Sequence, residues 1–322
     1  MKAIQVDGQE LRWNEVVEPP LGVGEVRIAN RATALNRADL AQRAGHYAPP
    51  PGASLILGLE CAGVVEAIGE GVGRVREGDR VCALLAGGGY AEKVVVPAGQ
   101  VLPIPEGLSF HEAAALPEVF ATAYLNLYME AYLEPGEFVL LHAGASGVGT
   151  AAIQLCAAFD NPCFVTAGNT EKVERCVEMG ATAGCDRHVD HFVEEVPRWT
   201  SQHGMDVILD PVGGAYFESN IASLAVDGRL VLIGLLDGST APVALGAMMS
   251  RRLRVIGSTL RSRSIAEKSR VMDALRDRVW PLIEAGKVRA VVETVMPVTD
   301  ANQAHQLLSE NGTFGKVVLD IP

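Results

Sequence analysis

A chain of 322 residues, 48% hydrophobic and 20% charged, is long enough for two domains of ordinary size and too apolar for the disordered class. Its formal charge of -12 disfavours nucleic acid and anionic membrane surfaces as partners, since both are polyanions, and leaves a small molecule as the expected ligand. The opening MKAIQVDGQELRW has no basic segment followed by an apolar core, and no run reaches the roughly 18 to 20 apolar residues of a membrane span, so a cytoplasmic location is expected.

In chain order, residues 1 to about 100 alternate apolar and polar positions in short runs, among them Glu25 to Ile28, Ala62 to Ile68, Asp79 to Leu84 and Tyr90 to Val96, which predicts an antiparallel β-rich unit. Ser109 and Glu112 have the spacing of a capping box and open an Ala-rich helical stretch, with a second helix expected from Pro117 to about Tyr132. From Glu137 the pattern becomes strand, Gly-rich turn, helix, and repeats: Phe138 to His142, Gly147 to Phe159, Cys163 to Ala167, Glu171 to Met179, Asp206 to Asp210, Leu230 to Gly234. Such alternation predicts parallel βαβ units in a doubly wound sheet. After Ser264 comes a helical run to about Ala285, then Ala290 to Met296 and Lys316 to Ile321 as strands, and this tail is expected to return to the first unit. Six cysteines form no CxxC pair, so they fit neither a disulfide framework nor a zinc knot and read as reduced, buried thiols.

The chemistry starts at His142-Ala-Gly-Ala-Ser-Gly-Val-Gly149, between an apolar strand and a helix. There Gly144 would permit the tight turn, Gly147 the approach of a pyrophosphate, and Gly149 close packing of helix on strand. The end of the next strand, Thr166-Ala-Gly168-Asn169, carries no carboxylate to accept from a ribose hydroxyl. Asn169 could donate to a 2'-phosphate, and Lys172, which opposes the helix dipole in a first turn, would gain from an anion nearby. This favours NADPH over NADH. The plainer reading makes Asn169 only an N-cap and Lys172 a solvated charge beside Glu171 or Glu174.

Asn36-Arg-Ala-Asp39 with Gly45-His-Tyr47, Gly58-Leu-Glu-Cys-Ala-Gly63, Gly78-Asp-Arg-Val81, Ala143 to Gly149 and Gly315-Lys-Val317 resemble the quinone oxidoreductase branch of the medium-chain dehydrogenases/reductases over essentially the whole chain. Within that branch, Thr166-Ala-Gly168, Lys172 and Leu260-Arg-Ser-Arg263 are most similar to the p53-inducible quinone oxidoreductases. The resemblance implies an α/β fold, a Rossmann doubly wound parallel sheet at 122–261 plus a GroES-like β-rich catalytic domain formed by 1–121 and 262–322. It also implies a homodimer, paired through the strand at Arg254 to Ser258. In the zinc-dependent members the metal ligands fall where this chain has Asn36, Leu59 and Glu118, and the cysteine-rich lobe of the structural zinc is absent. A metal-free reduction of quinones by direct hydride transfer from NADPH is therefore expected, with enones or 2-alkenals as the alternative acceptors and a cofactor-dependent binding protein without turnover as the alternative class.

Carried over by position, the resemblance makes Asn36 and Tyr47 the catalytic candidates. It places Thr122 near the nicotinamide, Gly144, Ala145, Ser146, Gly147 and Val148 on the pyrophosphate, and Gly168, Asn169, Lys172 and Arg187 around the adenosine phosphate. Pro211, Val212, Gly234 and Leu235 would flank the nucleotide, with Arg261 and Lys316 as further cofactor contacts. Asn169 replaces a family Ser or Thr, and Arg187 an aromatic residue; the arginine could stack on adenine and pair with phosphate, or be a surface charge. Tyr47, before three prolines, could equally be a packing residue. Glu60 reads either as a buried hydrogen-bonded carboxylate or as a proton-handling group, and His46 and His142 read as structural.

Overall fold

A computed structural model describes the whole chain, Met1–Pro322, as two compact units, Met1–Ala121 with Leu260–Pro322 and Thr122–Thr259. Leu260 and Arg261, expected on the nucleotide-binding side, belong to the first unit.

The first unit is built on a seven-stranded sheet. Its strands run Val292–Pro297, Lys316–Asp320, Glu25–Ala34, Glu60–Ile68, Arg80–Leu84 and Val101–Pro103 in spatial order, with Lys93–Pro97 also paired to Glu25–Ala34. The last strand of the chain lies antiparallel to Glu25–Ala34, pairing Val318 with Ala34. That pairing brings Lys316 to the end of the strand that leads into Asn36. Alternation along Glu25–Ala34 buries Val26 and Ile28 in one apolar cluster with Val65, Val81, Val94 and Val96, as a half-buried strand requires. A second cluster gathers Ile4, Leu57, Tyr90, Val317 and Leu319. The Ser109 to Glu112 capping box forms, with Ser109 Oγ accepting from the Glu112 amide at 3.2 Å, and it opens the short helix Phe110–Ala114.

The second unit is a six-stranded, all-parallel sheet in the order Ala183–Asp186, Cys163–Ala167, Val139–Leu141, Met205–Asp210, Leu224–Leu232, Arg254–Gly257. Numbered in sequence these run 3-2-1-4-5-6, the order of the doubly wound dinucleotide fold, whose ligand crevice lies at the carboxyl ends of the strands where the winding reverses. Buried Leu140, Phe164, Ile208 and Leu230, one from each of four central strands, join its core. The strand Arg254–Gly257 is the sheet edge, as expected of it.

The helix from Pro117 is α-helical only to Tyr124, and Leu125–Glu130 follows as a π turn. Its cause is local: Asn126 Nδ2 donates to the Thr122 carbonyl at 2.8 Å, and the Asn126 carbonyl then accepts from the amide of Ala131, five residues on. No helix is long and apolar enough to cross a membrane.

Candidate functional sites

In the first unit a buried polar cluster forms where three segments meet. Glu60, on a central strand and fully buried, accepts from Lys316 Nζ at 2.8 Å, from Asn36 Nδ2 at 3.0 Å and, on its other oxygen, from the Glu118 amide at 2.9 Å. Lys316, 4% exposed, also donates to Asn36 Oδ1 at 2.7 Å and to the Leu35 carbonyl. An ammonium has three protons, and all three are used here, so Lys316 balances the charge of Glu60 and is held in place by Asn36 and the Leu35 carbonyl. Asn36 is built into the same pair: its two amide protons go to Glu60 and to the Ala34 carbonyl at 3.2 Å and its oxygen is engaged by Lys316, so it holds the two charges together.

Around this pair stand further ionisable groups. Asp39 is fully buried, accepts from the Asn36 and Gly58 amides at 2.8 and 2.9 Å, and is raised to about 6 by desolvation. Glu118, partly exposed in the first turn of its helix, is raised to about 8, first by desolvation and then by the charge of Glu60. Tyr47 is half-buried with its ring 5.2 Å from the Arg261 guanidinium, a cation-π contact, and burial holds its hydroxyl above the usual tyrosine value. Arg261 donates to the Ala86 carbonyl at 2.8 Å, to Gln42 Oε1 at 2.6 Å and to the Tyr47 carbonyl at 3.5 Å. These three bonds hold Arg261 against the Tyr47 segment inside the first unit.

In the second unit the glycine loop joins Val139–Leu141 to the helix Gly147–Ala158. The residue in the left-handed region of this turn is Ala143 (φ 54). A side chain on Gly144 would meet Val165 Cβ at 2.8 Å, so Gly144 is the residue that packs the loop against the neighbouring strand. A Cβ on Gly149 would lie 2.4 Å from the Gly144 carbonyl oxygen, so Gly149 lets the loop fold back over the first helical turn. Ser146 Oγ caps that helix by accepting from the Gly149 amide at 3.0 Å. Ala145, Gly147 and Val148 lie within the same turn.

Asn169 is the N-cap of the helix Thr170–Glu178, its Oδ1 accepting from the Lys172 amide at 2.8 Å. The cap leaves the amide Nδ2 to donate outward, so the capping and phosphate readings are compatible. Arg187 is exposed and follows the adjacent strand, its amide donating to the Ala167 carbonyl at 3.0 Å, which places it beside Gly168 and Asn169. Pro211 and Val212 follow Met205–Asp210, and Gly234 and Leu235 follow Leu224–Leu232. The two loops are laced by bonds from Leu236 and Asp237 amides to the Pro211 and Val212 carbonyls at 3.1 and 2.8 Å. Thr122 lies in the helix and uses its carbonyl to hold Asn126.

Beneath these loops runs a buried chain of side chains that sequence reading did not connect. Asn220 donates through Nδ2 to Asp210 at 2.9 Å, so its Oδ1, 2.7 Å from His142 Nε2, must accept. His142 therefore carries its proton on Nε2 and accepts at Nδ1 from Thr166 Oγ1 at 3.0 Å, a neutral ring that burial drives down to about 4. Asp210 in turn holds the Val212 amide at 2.6 Å. His142 is thus structural, as its lack of a nucleophile or metal partner suggested, and it ties three loop-bearing strand ends together.

Residues 22–106 match the alcohol dehydrogenase GroES-like domain and residues 147–277 the zinc-binding dehydrogenase family. The chain is 32% identical over 97% of its length to the mouse (Mus musculus) synaptic vesicle membrane protein VAT-1 homolog, covering 80% of that protein. The chain belongs to the medium-chain dehydrogenase/reductase superfamily. Among solved members of that superfamily, an NAD-dependent alcohol dehydrogenase superposes with TM-score 0.87 at 33% identity, each chain fully covered. Escherichia coli quinone oxidoreductase complexed with NADPH gives 0.88 at 28%, covering 99% of both chains. The CurK enoyl reductase also gives 0.88 at 28%, covering 100% of this chain and 99% of that one.

The zinc of this superfamily does not fit the residues present in this dehydrogenase/reductase. Leu59 is apolar and buried, Asn36 is a poor ligand whose oxygen is already engaged, and the Lys316 ammonium stands on Glu60 and Asn36, where it would repel a second cation. The dinucleotide does fit: a cramped glycine loop, a capped helix N-terminus and donors at the adjoining strand ends form its cradle.

Proposed function

We propose that the protein is an NADPH-dependent reductase of quinones that works without a metal. The observation carrying this reading is that, of the three positions where the zinc-dependent members place ligands, Leu59 is apolar and buried and Asn36 has its oxygen engaged by Lys316, so the residues present offer no metal site to activate an alcohol as a Lewis acid and suit acceptors that are already electrophilic. Bound cofactor would supply the hydride. Gly144 to Val148 would hold its pyrophosphate, Asn169, Lys172 and Arg187 its 2'-phosphate, and Pro211, Val212, Gly234 and Leu235 its flanks. Tyr47, whose hydroxyl engages no protein partner, would face the acceptor. Likeness to an enoyl reductase supports conjugated enones as a second acceptor class for the same hydride chemistry. The strand Arg254–Gly257 at the sheet edge supports a homodimer, in which pairing would cover the edge.

Cofactor choice tests the reading. A charge-assisted hydrogen bond is worth roughly 1.5 to 3 kcal/mol, so Lys172→Ala should weaken NADPH binding by roughly 10- to 150-fold and leave NADH nearly unchanged. Arg187→Ala should lose less, because it is exposed and screened, and the two losses should not add, because they serve one phosphate. Calorimetric titration of wild type and variants with both nucleotides decides: equal wild-type affinities, or an equal loss for both nucleotides in Lys172→Ala, would remove the phosphate site.

A further inference from the structure

Reduction of a carbonyl acceptor by hydride needs a proton as well, and the reading above leaves its source unassigned. We infer that Glu118 delivers it: its carboxyl, in the first turn of the helix beginning at Pro117, is the one carboxyl of the cluster whose side chain is both partly open and unspent. The inference rests on the reductase reading.

Glu60 and Glu118 illustrate two carboxylates driven to different roles by their surroundings. Glu60 is closed to solvent and accepts from Lys316, Asn36 and the Glu118 amide, so both its oxygens are used. Asp39 is equally closed and holds two backbone amides. Glu118 takes no protein hydrogen bond through its side chain, and its partial exposure gives it a route to exchange protons with water. The groups acting on it are Glu60, Asp39, Lys316 and Arg261, and it acts in turn on Tyr47 and Lys268. Desolvation and the Glu60 charge outweigh the cations and raise it to about 8, so at neutral pH the carboxyl is protonated and able to donate.

The step balances. Bound reduced nicotinamide would supply the hydride, and with it both electrons, so that the acceptor oxygen would gain the negative charge. The Glu118 O–H bond breaks as its proton moves to that oxygen, and the carboxylate left behind is reprotonated from water.

The sign of the pH dependence follows: the competent form is the protonated one, so turnover holds below about pH 8 and falls above it. Steady-state NADPH oxidation with a benzoquinone across that range should show this limb in wild type. Glu118→Gln should lower kcat by roughly 100-fold or more and abolish the limb, with NADPH affinity unchanged by calorimetry, while Glu118→Asp should restore part of kcat together with a shifted limb. A purely structural role would change stability without removing the limb. A flat wild-type profile, or Glu118→Gln retaining kcat within about threefold, would overturn the assignment, as would an alkaline limb lost in Tyr47→Phe and kept in Glu118→Gln. These outcomes leave the reductase reading standing; wild type that binds NADPH and reduces no acceptor overturns both.

Discussion

Lys316→Met should lower the thermal midpoint by roughly 6 to 20 °C. The substitution keeps the length and apolar stem of the side chain and removes only the charge, so packing changes little. What remains is a Glu60 carboxylate with no exposure to solvent, held only by the Asn36 amide and the Glu118 backbone N–H. Stranding a buried charge this way costs about 3–5 kcal/mol, and for a domain of this size each kcal/mol moves the midpoint by roughly 2 to 4 °C. The intact pair is not strongly stabilising in itself, because taking both charges out of water offsets most of their attraction. Glu60→Gln combined with Lys316→Met should therefore recover most of the loss, since no charge is then left unpaired. Thermal melts of both single variants and the double variant test this; additive losses would show that the two side chains do not act as a pair.

Gly149→Ala should lower the affinity for NADPH and NADH alike, by about tenfold or more, and cost about 2–4 kcal/mol of stability. The added methyl would lie 2.4 Å from the Gly144 carbonyl oxygen and 2.5 Å from that of Ala143. Both atoms are backbone, so relief requires moving the loop, and moving the loop breaks the Ser146 cap on the Gly149 amide. Overpacking of this kind costs about 1–3 kcal/mol and a lost cap about 1 kcal/mol more. The loop serves the pyrophosphate, which both nucleotides share, so the loss carries no preference, in contrast to Lys172→Ala. Calorimetry and a thermal melt read both effects. A loss confined to NADPH would place the loop against the 2'-phosphate instead.

The glycine loop was legible because a strand, a turn and a helix followed one another within about 20 residues, and the helix was found from Gly147 onward as predicted. The roles of its glycines were not, because which Cβ collides depends on Val165, a residue of the next strand. The strand Ala183–Asp186 escaped notice for its length of four residues and its largely half-buried pattern, which gives no period to detect. The helix from Pro117 was legible to within two residues of its end at Glu130, but its π turn was not, because that depends on one asparagine side chain engaging the Thr122 carbonyl. Resemblance singled out Asn36 and Lys316, but not their contact with each other: it joins positions 280 apart in the chain, and only the antiparallel placement of the last strand brings both onto Glu60. Glu118 stood out in sequence only as a lost ligand position; its burial beside Glu60 is tertiary and leaves no local mark.

The central claim, reduction by hydride transfer without a metal, is tested most directly by turnover after metal removal. Protein dialysed exhaustively against a strong chelator, and shown to be metal-free by elemental analysis, is assayed for NADPH oxidation with a panel of quinones and enones. Undiminished turnover with at least one acceptor is the expected result, because Leu59 offers no ligand and Lys316 fills the position beside Glu60. Activity that disappears with the metal and returns with stoichiometric zinc would contradict it.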